Sequence, residues 1–206
     1  MNSVSFLAKL EKIIFLPFVL FLRVISPLIY IRITPLKVAR IGHLVAETEI
    51  FLCKKELEKK SGIILDLFFI RKKEKICNNF IFNKIKKKIL IIPSYPAKIF
   101  YQLNIKLNNI LRSKRKFYND SKIHYSSNFF KIDNQKIKLT NNEIKNGYKM
   151  LEKINIFPKD KFVCLICRDS AYLKKKFPEK NFDYHSYRNA NIEDFMVSCD
   201  YLTEKG

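Results

Sequence analysis

Apolar residues fall into short blocks separated by lysine-rich polar stretches, and the spacing within each block predicts an element. "GIILDLFFI", Gly62 to Ile70, is a continuous apolar run opened by glycine, and its length and β-branched content predict a strand buried on both faces. "ILIIP", Ile89 to Pro93, predicts a second strand, and between the two Ile76, Phe80, Ile81 and Ile85 recur at helical spacing. Upstream, "LKVARI" predicts a short strand that ends at Gly42, followed by a helix with Leu44, Val45, Thr48, Phe51, Leu52 and Leu57 on its apolar side. Strand, helix, strand, helix, strand is the order of a parallel sheet whose crossovers are helices. The expected fold class is therefore α/β, a Rossmann-like parallel sheet with flanking helices.

Further along, Ile99, Leu103 and Leu107 mark one stripe of a helix from Ser94 to about Asn109. "RSKRKFYNDSKIHYSSNFFKIDNQK" has no period and reads as a long connection or lid. Thr140 and Glu143 have capping-box spacing ahead of a helix with Ile144, Tyr148 and Leu151 as its buried stripe. "KFVCLICRDS" predicts a buried strand that ends in a polar turn, and Asn191 and Asp194 precede a last helix over "IEDFMVSCDYLTEK".

The N-terminal run "IIFLPFVLFLRVISPLIYI", Ile13 to Ile31, has nearly the length of a membrane span, but Arg23 sits in its middle between Pro17 and Pro27. A central arginine is costly in a bilayer unless it snorkels or pairs, and no A-x-A-like site for signal cleavage follows. The favoured reading is an apolar membrane-associated helix, interfacial or re-entrant, with Lys9, Lys12, Arg23 and Arg32 near anionic headgroups. A full span and a buried core helix are the alternatives. The expected organisation is a membrane-associated segment over 1–31, a Rossmann-like domain over 32–155, and the start of a second α/β domain over 156–206.

Composition changes this picture little. The 206 residues are 48% hydrophobic and 14% aromatic, enough for a sizeable core and too apolar for a wholly disordered chain. The net charge of +21 points toward polyanions, yet lysine far outnumbers arginine alongside abundant Ile, Asn and Phe, as an AT-rich coding sequence produces for any function. Specific nucleic-acid recognition leans on arginine, so no specific nucleic-acid partner is expected. The five cysteines are odd in number and scattered, unlike a disulfide framework or a zinc site. Cys164 and Cys167 would face opposite sides of a strand, so no metal is expected there. No P-loop, GxGxxG fingerprint, zinc helix or nucleophile elbow is present.

Three polar turns follow predicted strands or precede a helix, where open parallel sheets bind ligands. They are Arg40 to His43, Arg168 to Ser170, and His185 to Asn191. His43 is the candidate catalytic base, since an imidazole can accept a hydroxyl proton, and Arg40 and Gly42 would face substrate beside it. Helix capping or packing is the competing role for His43. Arg168 and Arg188 can fork onto diphosphate oxygens, or form a salt bridge such as Arg168 with Asp169 or Asp183. Asp169 is the alternative base, on the argument that burial at a strand end raises its proton affinity. Ser170, His185, Tyr187 and Asn189 complete the substrate-binding set, by stacking on or hydrogen-bonding a sugar or base, with turn formation the plainer role of Asn189.

Three stretches, "RIGHLVAETEIFLCKKE", "FVCLICRDSAYLKKKFP" and "YHSYRNANIEDFMVSCDYLTEKG", together resemble the blocks of a bacterial glycosyltransferase family associated with surface-polysaccharide gene clusters. The resemblance runs in order over most of residues 32 to 206. It implies a two-Rossmann B-type fold of which this chain holds the N-terminal half and the interdomain segment. It also implies sugar transfer from a nucleotide-sugar donor to a lipid-linked or polysaccharide acceptor, without a DxD-bound metal or other cofactor. By the same resemblance the acceptor lies on the N-terminal half, the donor on the C-terminal half, and the protein works at the cytoplasmic face of the bacterial inner membrane. A truncated chain of this kind would be inactive alone. Two other classes stay open, a basic nucleic-acid-binding protein and a non-catalytic membrane-peripheral scaffold subunit.

Overall fold

A computed structural model describes residues 3–58, 62–119 and 135–205, which form two compact units, Met1–Lys138 and Leu139–Gly206. In the first unit, three parallel strands, β1 (Ile29–Pro35), β2 (Ile63–Phe69) and β3 (Leu90–Ile91), lie in the order β1-β2-β3. A π-helical turn over His43–Glu47 and helix α2 (Thr48–Leu57) connect β1 to β2, and α3 (Asn79–Lys86) connects β2 to β3. Helix α4 (Ser94–Ile110) follows, and α1 (Ser3–Val24) precedes the sheet. The expected α/β class, a parallel sheet with flanking helices, is present.

Successive residues of a strand face opposite sides, and β2 shows this directly. Phe68 packs with Leu36, Val38, Leu44, Phe82 and Ile85 on the side of α2 and α3, whereas Phe69 packs with Ile33 and Ala97 on the side of α4. The sheet is thus covered on both faces, as parallel sheets require. Asn78 caps α3 by accepting from the Ile81 N–H at 3.0 Å.

The first strand lies earlier than expected. Ile29 to Pro35 pair residue for residue with Ile63 to Phe69, so all seven positions of β2 are taken before "LKVARI" begins. Leu36 and Val38 are buried by core packing rather than by a ladder, and Pro35, which has no N–H to give, ends the strand.

Helix α1 packs one face on α4 through Phe15 and Val19 against Ile99, Phe100 and Leu103, with the Phe15 and Phe100 rings edge to face at 5.4 Å. Arg23, expected near headgroups, turns inward instead. Its Nε donates to Asn104 Oδ1 at 3.1 Å, its Nη2 to the Asn104 carbonyl at 3.1 Å and to Asn108 Oδ1, and its guanidinium lies 4.5 Å from the Phe117 ring centre. Burial lowers its pKa from the ordinary arginine value. Among the described residues, no helix is long and apolar enough to cross a membrane.

The second unit contains α5 (Asn141–Glu152), α6 (Ala171–Lys176), two 3-10 turns (Asp183–Arg188 and Ile192–Phe195) and α7 (Met196–Lys205). The Thr140–Glu143 capping box forms as the sequence predicts, and so does the one at Asn191 and Asp194. Two expectations fail. Ile144 and Tyr148 of the predicted buried stripe are exposed. "KFVCLIC" forms no strand, because the described residues of its unit offer no ladder to join, and Val163 and Ile166 are 72% and 87% exposed. Cys164 and Cys167 are both free thiols, the former exposed rather than buried as a small hydrophobe would be. Most of the predicted connection or lid, residues 120–134, lies outside the described residues.

Candidate functional site

After α4 the chain returns to the free edge of β1, on the side away from β2 and β3. The Ile33 N–H donates to the Phe117 carbonyl at 3.1 Å, the Asn119 N–H donates to Thr34 Oγ1 at 2.8 Å, and the Tyr30 hydroxyl donates to the Lys116 carbonyl. Residues 117–119 thus run along the edge of β1 that β2 leaves free. A cavity of about 380 Å³ lies there, between β1, the π-helical turn, α2 and residues 114–119. That volume is in the range of small-molecule sites.

His43 opens the π-helical turn and lines this cavity. Its Nδ1 lies 2.6 Å from Glu47 Oε1, which also accepts from Lys37 Nζ at 2.8 Å. An ionised carboxylate can only accept, so in the neutral imidazole Nδ1 carries the proton and Nε2 is left as a base. The side chain is 43% exposed, which leaves that nitrogen within reach of a ligand. A π-turn places an extra residue in one helical turn, a feature frequent at functional positions. Thr48 closes the turn by donating its hydroxyl to the Leu44 carbonyl at 2.6 Å.

Behind the cavity lies a charge cluster joining β1 and β2. Arg32 pairs in register with Asp66, whose side chain is 1% exposed, and donates to it through Nε at 2.6 Å and Nη2 at 2.9 Å. The same guanidinium forks onto Glu58 at 2.6 and 2.9 Å. Asn119 donates to Asp66 at 3.1 Å, and Lys55 Nζ lies 3.6 Å from it. Burial alone would lower the Arg32 pKa, but hydrogen bonds to Glu58 and Asp66 outweigh it and hold the guanidinium above its ordinary value. Arg32, expected beside lipid headgroups, is instead the hub of this cluster.

The remaining sequence candidates take varied positions. Arg40 and Gly42 lead into the π-helical turn without lining the cavity, and the Arg40 carbonyl accepts from the Leu44 N–H at 2.9 Å. Gly42 has ordinary helical φ and ψ, and a Cβ at that position would meet nothing within 4 Å, so no close backbone approach requires a glycine there. In the second unit the Ala190 N–H donates to the Arg168 carbonyl at 3.0 Å and Cys167 Sγ to the Ala190 carbonyl at 3.1 Å. These bonds bring the turn of Arg168, Asp169 and Ser170 beside the one that holds Tyr187, Arg188 and Asn189. Asp169 is exposed, follows no strand, and accepts from the Ala171 N–H at 3.0 Å, so both premises of its reading as a base are missing. Arg188 donates to the Tyr187 hydroxyl at 3.0 Å. His185 lies in the 3-10 turn Asp183–Arg188, and its side chain is outside the described residues.

Compared with protein-family models, curated proteins and solved structures, the chain matches none. Sequence reasoning missed Glu47, Glu58 and Asp66. Glu47 stands four residues after His43 in "HLVAE", and Asp66 is the lone charge of an apolar strand, a signal that becomes readable once Arg32 is in register opposite. Among the described residues no group of three or more His, Cys, Asp or Glu side chains is placed to hold a metal ion.

Proposed function

We propose that the chain is a glycosyltransferase, or the acceptor-binding part of one, that moves a sugar from a nucleotide-sugar donor to a lipid-linked or polysaccharide acceptor. The observation that carries this reading is His43, oriented by Glu47, on the wall of a cavity beside β1 and α2. The acceptor hydroxyl gives its proton to His43 Nε2 as its oxygen bonds to the anomeric carbon. The bond from that carbon to the donor diphosphate breaks, and the nucleoside diphosphate leaves with the electron pair. Glu47 stabilises the imidazolium that forms. The test is nucleoside diphosphate release from a panel of nucleotide sugars with a membrane lipid extract, for this chain and for any longer product of its reading frame. His43→Asn should lower release by about 10²- to 10⁴-fold with the fold intact. Equal release by wild type and His43→Asn would overturn the assignment.

The same reading places the protein at the cytoplasmic face of a bacterial inner membrane, and α1 gives it a means of binding. Ile13, Ile14, Phe18, Phe21 and Val24 are 57% to 76% exposed, share the face opposite the α4 contact, and have no charge among them. Such a face suits an in-plane helix at the headgroup boundary, and the net charge of +21 favours anionic lipid. Phe18→Asp/Phe21→Asp should abolish sedimentation with phosphatidylglycerol vesicles. Undiminished binding by that variant would remove α1 as the contact.

A further inference from the structure

The cavity that holds His43 has a lopsided charge. Seven Lys and Arg side chains line it against two carboxylates, Glu47 and Glu58. The inner cations have identified acidic partners: Arg32 with Glu58 and Asp66, Lys37 with Glu47, and Lys55 near Asp66. The outer lip is different. Lys114 is exposed and makes no ion pair among the described residues. Arg115 is held by a hydrogen bond from Nη1 to Ser26 Oγ at 3.4 Å and by stacking 4.3 Å over the Tyr30 ring centre, contacts that fix the guanidinium without neutralising it. Phe51, Phe68 and Leu36 add apolar surface to the same cavity. A cleft with low-dielectric walls concentrates the field of its charges and so raises the local concentration of anions.

We infer that this lip binds a phosphate or diphosphate group, so that the molecule lying beside His43 is a phosphorylated one with an apolar or ring-shaped remainder. The inference deepens the proposed transfer reaction and rests on it, since it makes the substrate beside His43, lipid-linked acceptor or nucleotide donor, one held by its phosphate. Arg115 offers planar paired donors to phosphoryl oxygens, and Lys114 adds a mobile point charge.

The probe is inorganic pyrophosphate, titrated calorimetrically into the full chain at fixed ionic strength. Wild type should bind saturably at one site, and Lys114→Ala/Arg115→Gln should weaken binding at least about tenfold, because hydrogen bonds to charged groups are among the stronger ones. Lys72→Ala/Lys73→Ala removes the same charge from an exposed turn elsewhere in the unit and should leave affinity unchanged. Equal weakening by both pairs, or no saturable binding by wild type, overturns the inference, because the excess charge of the chain would then be acting without a site. Circular dichroism verifies that each variant is folded. Farnesyl diphosphate and uridine diphosphate separate the sources: tighter binding of the first than of pyrophosphate supports a lipid carrier, and tighter binding of the second supports a nucleotide. His43→Asn should leave pyrophosphate binding intact while lowering transfer by about 10²- to 10⁴-fold. Binding without transfer, both by this chain and by any longer product of its reading frame, would therefore sink the glycosyltransferase reading alone, and transfer without pyrophosphate binding would sink this inference alone.

Discussion

Two segments with nearly the same apolar pattern meet different fates in the two units. "IILDLFF" becomes β2, the middle strand of its sheet, with Phe68 and Phe69 buried on opposite faces. "KFVCLIC" stays irregular, without a ladder, and Val163 and Ile166 are exposed. A strand is a property of pairing, since its backbone hydrogen bonds are made with neighbours and not within itself. The first unit supplies two neighbours for β2, in β1 and β3, and two layers of helix to cover them. In the second unit Leu173 is the only buried apolar residue among those described, so its order rests on local devices such as capping boxes, Asx turns and short backbone bridges. The first unit should therefore be sensitive to single side chains, and the second tolerant of them.

The largest difference should come from the carboxylates. Asp66→Asn leaves the buried Arg32 with Glu58 as its remaining carboxylate among the described residues, and breaking a buried ion pair on one side costs up to about 3 to 5 kcal/mol. That is much of the stability of an ordinary domain, so urea unfolding of the first unit should shift to a far lower midpoint. Asp169→Asn, at an exposed turn, should change stability by less than about 0.5 kcal/mol. Similar midpoints for Asp66→Asn and wild type would show that the cluster does not hold β1 to β2.

Apolar truncation should repeat the contrast at slightly smaller size. Ile85 is completely buried in the cluster of Phe68, Phe82 and Ile89, and Ile85→Ala should cost about 2 to 5 kcal/mol. Ile166→Ala removes more exposed than buried surface and should be neutral within about 0.5 kcal/mol. A large loss from Ile166→Ala would mean that this segment is packed in solution, and the contrast between the units would fail.

This contrast also sets what is legible in the sequence. Periodicity locates α3, α4, β2 and β3 because each has a partner that rewards its apolar face. It misplaces the first strand because "IYIRITP" reads as the end of an apolar membrane segment, and only the register with β2 shows that Arg32 faces Asp66. The same difficulty sends Arg23 toward lipid: a lone arginine in an apolar helix looks the same on paper whether it meets headgroups or, as here, Asn104 and Asn108 some eighty positions later. His43 is legible from its place between strand and helix. Glu47 is within reach by its i+4 spacing, but the basic lip at 114–116 is not, because its role depends on where the chain returns after α4.

Local capping should matter in the second unit where burial does not. In the α5 box the Glu143 N–H donates to Thr140 Oγ1 at 3.3 Å and the Thr140 N–H donates to Glu143 Oε2 at 2.6 Å. Thr140→Ala should cost about 1 kcal/mol, read as faster amide exchange in the first turn of α5 with the first unit unaffected. Protection unchanged by the substitution would mean that the helix is held by something other than its cap.

The smallest expected effect tests whether burial in the first unit extends to its polar side chains. Burial raises the Tyr30 pKa, and the positive charges of Arg32 and Arg115 only partly oppose it. The native state then keeps the phenolic proton to higher pH than the unfolded chain, whose tyrosine titrates near pH 10. Between that pH and the native value the folded form binds more protons, so stability falls as pH rises, and below about pH 10 the contribution is constant. Tyr30→Phe has no proton to lose. The stability difference between wild type and Tyr30→Phe, measured by urea unfolding, should be flat from about pH 7 to 9 and then turn against wild type above about pH 10. Parallel curves through about pH 11 would show that the Tyr30 hydroxyl is as well solvated in the folded protein as in the unfolded one, and the burial that separates the two units would stop at their apolar residues.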